Sequence, residues 1–180
     1  MNRFGISSLS AIIDRITGGD PDARICHVAA ELGLVPRPDT RDGYLWNGYP
    51  VSFRIVSAGE SAEPSWVVVE ICTGAAGKLL IEKSSWWTSL RHRWRGADGS
   101  HIESGLKVIS EPEELGARLI SEPVMAKTLP LALSRHGEIR MSDGRLRVTR
   151  YCVDRVAEDA LKAGWSLATG VVQVLELLPP

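Results

Sequence analysis

The residues with most chemistry to offer lie between Ser85 and Gly96, in the run Ser-Trp-Trp-Thr-Ser-Leu-Arg-His-Arg-Trp-Arg-Gly. This run holds three of the six tryptophans and three arginines, with no acid. Wound as a helix capped by Ser85 and stopped by Gly96, it puts Trp86, Trp87, Leu90 and Trp94 on one arc. Arg91, His92 and Arg95 fall on the other side. Trp86, Trp87, Arg91, Arg93, Trp94 and Arg95 are therefore candidate binding residues. Tryptophan beside arginine suits a protein-interface hot spot, an anionic membrane surface or stacking on unpaired bases. The competing reading tucks the indoles into the core as a lid on a sheet and leaves the arginines in water.

A second cluster surrounds Asp143-Gly144, a two-residue turn between Ile139-Arg140-Met141 and Leu146-Arg147-Val148. The pairing sets Arg140 directly opposite Arg147, and Arg145 shares their face. Like charges opposite one another repel. Either an anion or a carboxylate from elsewhere neutralises them, or the arginines splay apart into screening solvent. Burial of Ile139, Met141, Leu146 and Val148 on the opposite face is expected in both cases.

Other motifs carry less. Gly74-Ala75-Ala76-Gly77-Lys78 has two residues between its glycines and Leu79 after its lysine. A phosphate-binding loop needs four residues there and a Ser or Thr after the lysine, followed by a helix. A plain loop between strands is expected instead. His101 and Glu103, with Asp98 near, are at most two ligands and a neighbour, short of a metal site. No nucleophile elbow, zinc-protease or calcium-loop pattern occurs. The reading assigns no catalytic residue, metal ligand or cofactor.

Composition bounds the class of protein. The 180 residues fit one domain, with 44% hydrophobic and 24% charged residues. A formal charge of −1 excludes nucleic-acid binding by bulk charge. Cys26, Cys72 and Cys152 lie far apart and form no C-x-x-C pair, which suits free thiols in a reducing cytoplasm. Asp14 and Arg15 interrupt the first apolar stretch, unlike a signal peptide. Ala163 to Leu178 contains Gln173 and Glu176 and is shorter than the ~20 residues of a spanning helix.

The elements that must position these residues follow from periodicity. Leu9, Ile12, Ile13 and Ile16 form one helical stripe, and Ile25, Val28, Ala29 and Leu32 a second. Asp20 and Pro21 start the second helix, and Gly33 ends it. Asn47-Gly48 predicts a hairpin with Trp46 opposite Tyr49 and Tyr44 opposite Val51. Strands follow over Trp66–Cys72, with Glu70 outward, then over Leu79–Glu82 and around Leu106 and Val108. Ser110-Glu111-Pro112-Glu113 reads as a capping box. Ser121-Glu122-Pro123 repeats that start, and Pro130 is expected to kink or divide the helix that ends near His136. The last helix is expected from about Asp154 to Leu178, with Ala160, Gly164 and Ala168 as a close-approach stripe.

The run from Gly105 to Arg150, containing S-E-P-E-E-L-G-A-R-L-I and M-S-D-G-R-L-R-V, resembles the C-terminal half of uncharacterised bacterial domains of unknown function. The shared motifs are caps and turns, so the resemblance implies an α+β fold and no activity. The expectation is a single α+β domain over residues 1–180. It comprises an N-terminal helix pair (within 1–38), a mostly antiparallel sheet, flanking helices, a C-terminal hairpin and a long final helix. Its expected role is a non-enzymatic binding or assembly module of the bacterial cytoplasm, such as a complex subunit or an immunity-type inhibitor. The partner expected is another protein, or a second copy of the chain. Single-stranded nucleic acid or an anionic membrane surface is the alternative, and an enzyme with scattered catalytic residues is the third class.

Overall fold

The computed structural model describes residues 20–40, 43–56, 64–83, 100–103, 105–133, 137–153 and 156–176. The first predicted helix, around Leu9 to Ile16, and the Trp/Arg segment from Ser85 to Gly96 lie outside them. The fold is α+β. Four helices are described: α1 (Pro21–Glu31), α2 (Glu113–Ser121), α3 (Pro123–Ala132) and α4 (Ala157–Leu175). The strands are β1 (Val35–Pro36), β2 (Gly43–Trp46), β3 (Tyr49–Val56), β4 (Pro64–Cys72), β5 (Lys78–Lys83), β6 (Ser100–Glu103), β7 (Leu106–Glu111), β8 (Glu138–Ser142) and β9 (Arg145–Val153). They form one nine-stranded sheet in the order β1-β2-β3-β4-β9-β8-β5-β7-β6, with every neighbouring pair antiparallel.

Both two-residue hairpins form as their turn residues require. Asn47 and Gly48 take φ of 51° and 85°, and Asp143 and Gly144 take 52° and 69°, the left-handed pair of a type I′ turn. Trp46 pairs with Tyr49 and Tyr44 with Val51. Strand parity then divides the sheet. Val51, Phe53, Val67, Val69, Ile71, Leu79, Ile81, Val108, Ile139, Met141, Leu146 and Val148 are all buried, on the side that the helices cover. Helix α4 crosses β4 and β9, while α1, α2 and α3 pack beside it. A Cβ on Gly164 would stand 3.2 Å from Val69 Cγ2, so the small residue sets how close α4 comes. Trp165 meets Trp46 and Phe53 edge-on, at ring separations of 5.2 and 6.0 Å. Arg150 shares this side of the sheet; burial pulls its pKa down, and its Nε has no hydrogen-bond partner among the described residues.

Four expectations are corrected. Ser110 does not cap a helix as part of a capping box, because it belongs to β7 and α2 begins at Glu113. Its hydroxyl instead accepts from Gly116 N at 3.0 Å and donates to Glu113 O at 3.1 Å, clasping the first turn from the side. The start of α3 is capped by Glu122, whose carboxylate accepts from Val124 N at 3.3 Å, while Ser121 closes α2. Pro130 neither divides nor precedes a longer helix: it sits in the final turn of α3, which stops at Ala132. There a missing N–H removes one bond from a turn that is already ending. The final helix is shorter at both ends than the apolar run suggested, at Ala157–Leu175. None of the described helices is long and apolar enough to cross a membrane.

Two measurements follow from this packing. Gly164→Leu should destabilise the chain by about 1–3 kcal/mol, because the added carbons would run into the side chains of Val69 and Arg150. A melting temperature unchanged by Gly164→Leu would mean that α4 does not lie against Val69. The second concerns Glu31, which the Lys162 ammonium hydrogen-bonds across α1 and α4, holding its pKa below the usual carboxylate value. A depressed carboxylate stabilises the fold above its unfolded pKa of about 4.3 and loses that effect as pH falls through its folded value. The stability gap between wild type and Lys162→Gln should therefore be full above about pH 5 and close in more acid solution. A gap that is constant across that range would show that the pair is not formed.

Candidate interaction face

The other side of the sheet carries no helix among the described residues, so its side chains are the ones available to a ligand. Across β3, β4, β9, β8 and β5, cross-strand partners place Ser52, Glu70, Arg147, Arg140 and Leu80 in one row. The adjacent row runs Arg54, Val68, Thr149, Glu138 and Glu82. This is where two of the three hairpin arginines lie, with Arg145 one step along β9 beside Cys72.

Glu70 organises them. It is the one charged residue in the nine of β4, with its side chain only 10% exposed. Arg147 donates from Nε and Nη2 to its Oε2 at 2.9 and 2.7 Å. Arg145 Nη1 donates to Oε1 at 3.2 Å. The facing arginines Arg140 and Arg147 thus do not simply splay into solvent. Arg147 turns toward Glu70 on β4, and Arg140 turns the other way to Glu138, with Nη2 to Oε2 at 3.3 Å. Repulsion across the pair is relieved by a carboxylate on each side.

The local backbone fixes this geometry. Past the end of β4, Thr73 N and Gly74 N both donate to Gly144 O, at 2.8 and 3.0 Å. A Cβ on Gly144 would come within 3.1 Å of Gly74 Cα, so only glycine lets the hairpin tip press against the β4 exit. That clamp holds Arg145, the next residue, beside the acid. The Gly74–Lys78 stretch thus ties the sheet together, and Lys78 opens a strand where a phosphate loop would open a helix.

Further pairs complete the face. Lys107 bonds Glu82 at 3.0 Å, and Lys78 bonds Glu111 at 2.9 Å. Arg54 is exposed and has no ion-pair partner among the described residues. With Glu70 shared between two arginines, positive charge is in excess. At one end Trp66 and Tyr151 meet edge-on at 5.4 Å beside the exposed Val56.

The reading from sequence located Arg140, Arg145 and Arg147 and missed Glu70 as their acceptor, together with Arg54 and Arg37. A signal for Glu70 was present: a lone acid in an apolar strand needs a basic neighbour. The candidates Trp86, Trp87, Arg91, Arg93, Trp94 and Arg95 lie outside the described residues, as do the side chains of His101 and Glu103. Among the described residues no group of three His, Cys, Asp or Glu side chains could hold a metal. No protein-family model matches the chain, and neither does any curated protein or solved structure.

Glu70→Gln should cost about 1 kcal/mol and Glu70→Ala about 2 kcal/mol. These costs lie below those of a fully buried pair because solvent screens Arg145 and Arg147, which are 61% and 43% exposed. A double-mutant cycle of Glu70→Gln with Arg147→Met should return a coupling of about 1 kcal/mol. Strict additivity in urea melts would show that the contact contributes nothing.

Proposed function

We propose that the chain is a non-enzymatic binding module that presents its open sheet face to an acidic segment of a protein partner. The observation that carries this reading is the arginine surplus held in place by Glu70 on a face that no helix among the described residues covers. Three features support it. The guanidiniums are mounted on paired strands rather than loops, which lowers the entropy lost on binding. The excess charge is positive, which complements an acidic partner. The apolar corner of Val56, Trp66 and Tyr151 adjoins the charges, in the manner of an anchor beside a polar rim.

Glutamates distributed among the arginines argue for a protein ligand over a continuous phosphate backbone, which would meet Glu138, Glu82 and Glu111 as repulsive neighbours. A place in a larger bacterial assembly, or an inhibitor role, fits this surface.

The test is capture from native extract with matched surface variants. The Arg54→Glu/Arg140→Glu chain should lose proteins that wild type retains, whereas Lys127→Glu, on the exposed side of α3, should retain them. Equal capture by all three chains overturns the reading. Retention of oligonucleotide or anionic vesicles instead, with affinity falling steeply in salt, would replace the protein ligand by a polyanion.

A further inference from the structure

At the corner of the open face where β2, β3, β4 and β9 meet, a cleft of about 450 Å³ opens. That is within the ordinary range for small-molecule sites. Arg37 and Arg145 both line it, one from the exit of β1 and one from the start of β9, with the hydroxyl residues Thr40 and Ser52 between them. Glu70 and Cys72 form part of the wall.

The sequence builds this corner from distant pieces. Arg37 N donates to Gly43 O at 2.9 Å, which draws the β1 exit over the start of β2. A Cβ on Gly43 would stand 2.2 Å from Thr40 Oγ1, so glycine there is what admits the threonine. Asp39 engages Arg37 through Nε and Nη2, holding the guanidinium in place and raising its pKa, with a smaller contribution from Cys72. Arg145 spends one nitrogen, Nη1, on Glu70. A guanidinium carries five N–H donors, so each arginine keeps donors in reserve after its carboxylate is served. The charge balance points the same way. Among the described residues, Arg37, Arg145 and Arg147 against Asp39 and Glu70 leave one positive charge uncompensated around the cleft.

We propose that this cleft is a binding site for a small oxyanion, a phosphate or a carboxylate-bearing metabolite, gripped between Arg37 and Arg145. The grip uses N–H forks held by Asp39 and Glu70, which suit the paired oxygens of either group. Thr40 and Ser52 supply neutral donors to the remaining oxygens. This site does not depend on the open face meeting a protein: a small anion can bind in the cleft whether or not a partner covers the arginines beyond it.

Cys72 provides the readout, because it is a half-buried thiol in the wall of the cleft, while Cys26 is exposed elsewhere. The full chain is treated with the neutral reagent iodoacetamide at constant ionic strength. Alkylation at Cys26, Cys72 and Cys152 is followed separately by peptide mass analysis. Inorganic phosphate and citrate are the two probes, and they distinguish the phosphate from the carboxylate ligand. One of them should slow Cys72 modification several-fold at saturation and leave Cys26 unchanged. Arg37→Ser and Arg145→Lys should each raise the half-protecting concentration, by about tenfold where a charge-assisted contact is lost. Ser52→Asp, which puts a negative charge inside the cleft and spares both arginines, should abolish protection. Protection absent from wild type, reproduced by chloride at equal ionic strength, or undiminished in Ser52→Asp would overturn the proposal.

Discussion

The antiparallel pairing of β4 with β9 is the constraint on which the rest of this structure hangs. It joins Pro64–Cys72 to Arg145–Val153 residue for residue, across an intervening stretch of more than seventy positions. Closing so long a loop costs more than closing a hairpin, though the cost rises only slowly with length. Burial of Val67, Val69 and Ile71 against Leu146 and Val148, under α4, offsets it. Strand β3 reaches the sheet only through β4, and β8 only through β9, which in turn brings in β5, β7 and β6. In a sheet ordered this way the β4–β9 ladder, its longest-range pairing, is the one that joins the two halves.

The same ladder determines what the two faces can do. Its period of two residues sends Val67, Val69, Ile71, Leu146 and Val148 toward the helices and sends Glu70, Arg145 and Arg147 the other way. A one-residue slip would bring Glu70 under the helix and Val69 into water, so the hydrophobic core enforces the position of the charges. The charges reinforce the register in return, because Glu70 finds its arginine only where it stands opposite Arg147. The Gly74–Gly144 contact adds a steric stop at the end of the ladder. Packing, electrostatics and turn chemistry agree on one alignment, which is what makes it unique.

This division also explains which parts were legible in the sequence. The Asn47-Gly48 and Asp143-Gly144 hairpins, the α1 stripe and the inward residues of β4 were legible because each is written in a window of a dozen residues. The α4 stripe was legible too, since Ala160, Gly164 and Ala168 recur at helical spacing. Two short edge strands were not: β1 is only Val35–Pro36 and β6 only Ser100–Glu103, too brief for an alternating pattern. Ser110 was misassigned because a strand end and a cap position share the same local letters, and the choice was made by β5, which pairs with β7 through Lys78–Glu111. The site suffered most. Hairpin parity revealed the conflict between Arg140 and Arg147, but Arg147's acceptor lay on β4, the next strand in space and far away in sequence. The strand order that brings them together is non-sequential, and no local window encodes it.

An acid at the centre of a basic surface reduces the attraction that surface exerts on any anion, and its presence therefore calls for a reason beyond net charge. Arginine alone on a strand holds a guanidinium on a long chain with large rotamer entropy to lose on binding. Glu70 removes part of that entropy beforehand, fixing Arg147 by two donors and Arg145 by one. What is surrendered in long-range steering is regained in orientation, and orientation distinguishes one anion from another whereas bulk charge does not. Asp39 does the same for Arg37 across the cleft. In a chain of nearly zero net charge, guanidiniums fixed on a sheet are what the proposed recognition of acidic groups requires, because orientation must then supply the selectivity that bulk charge does not.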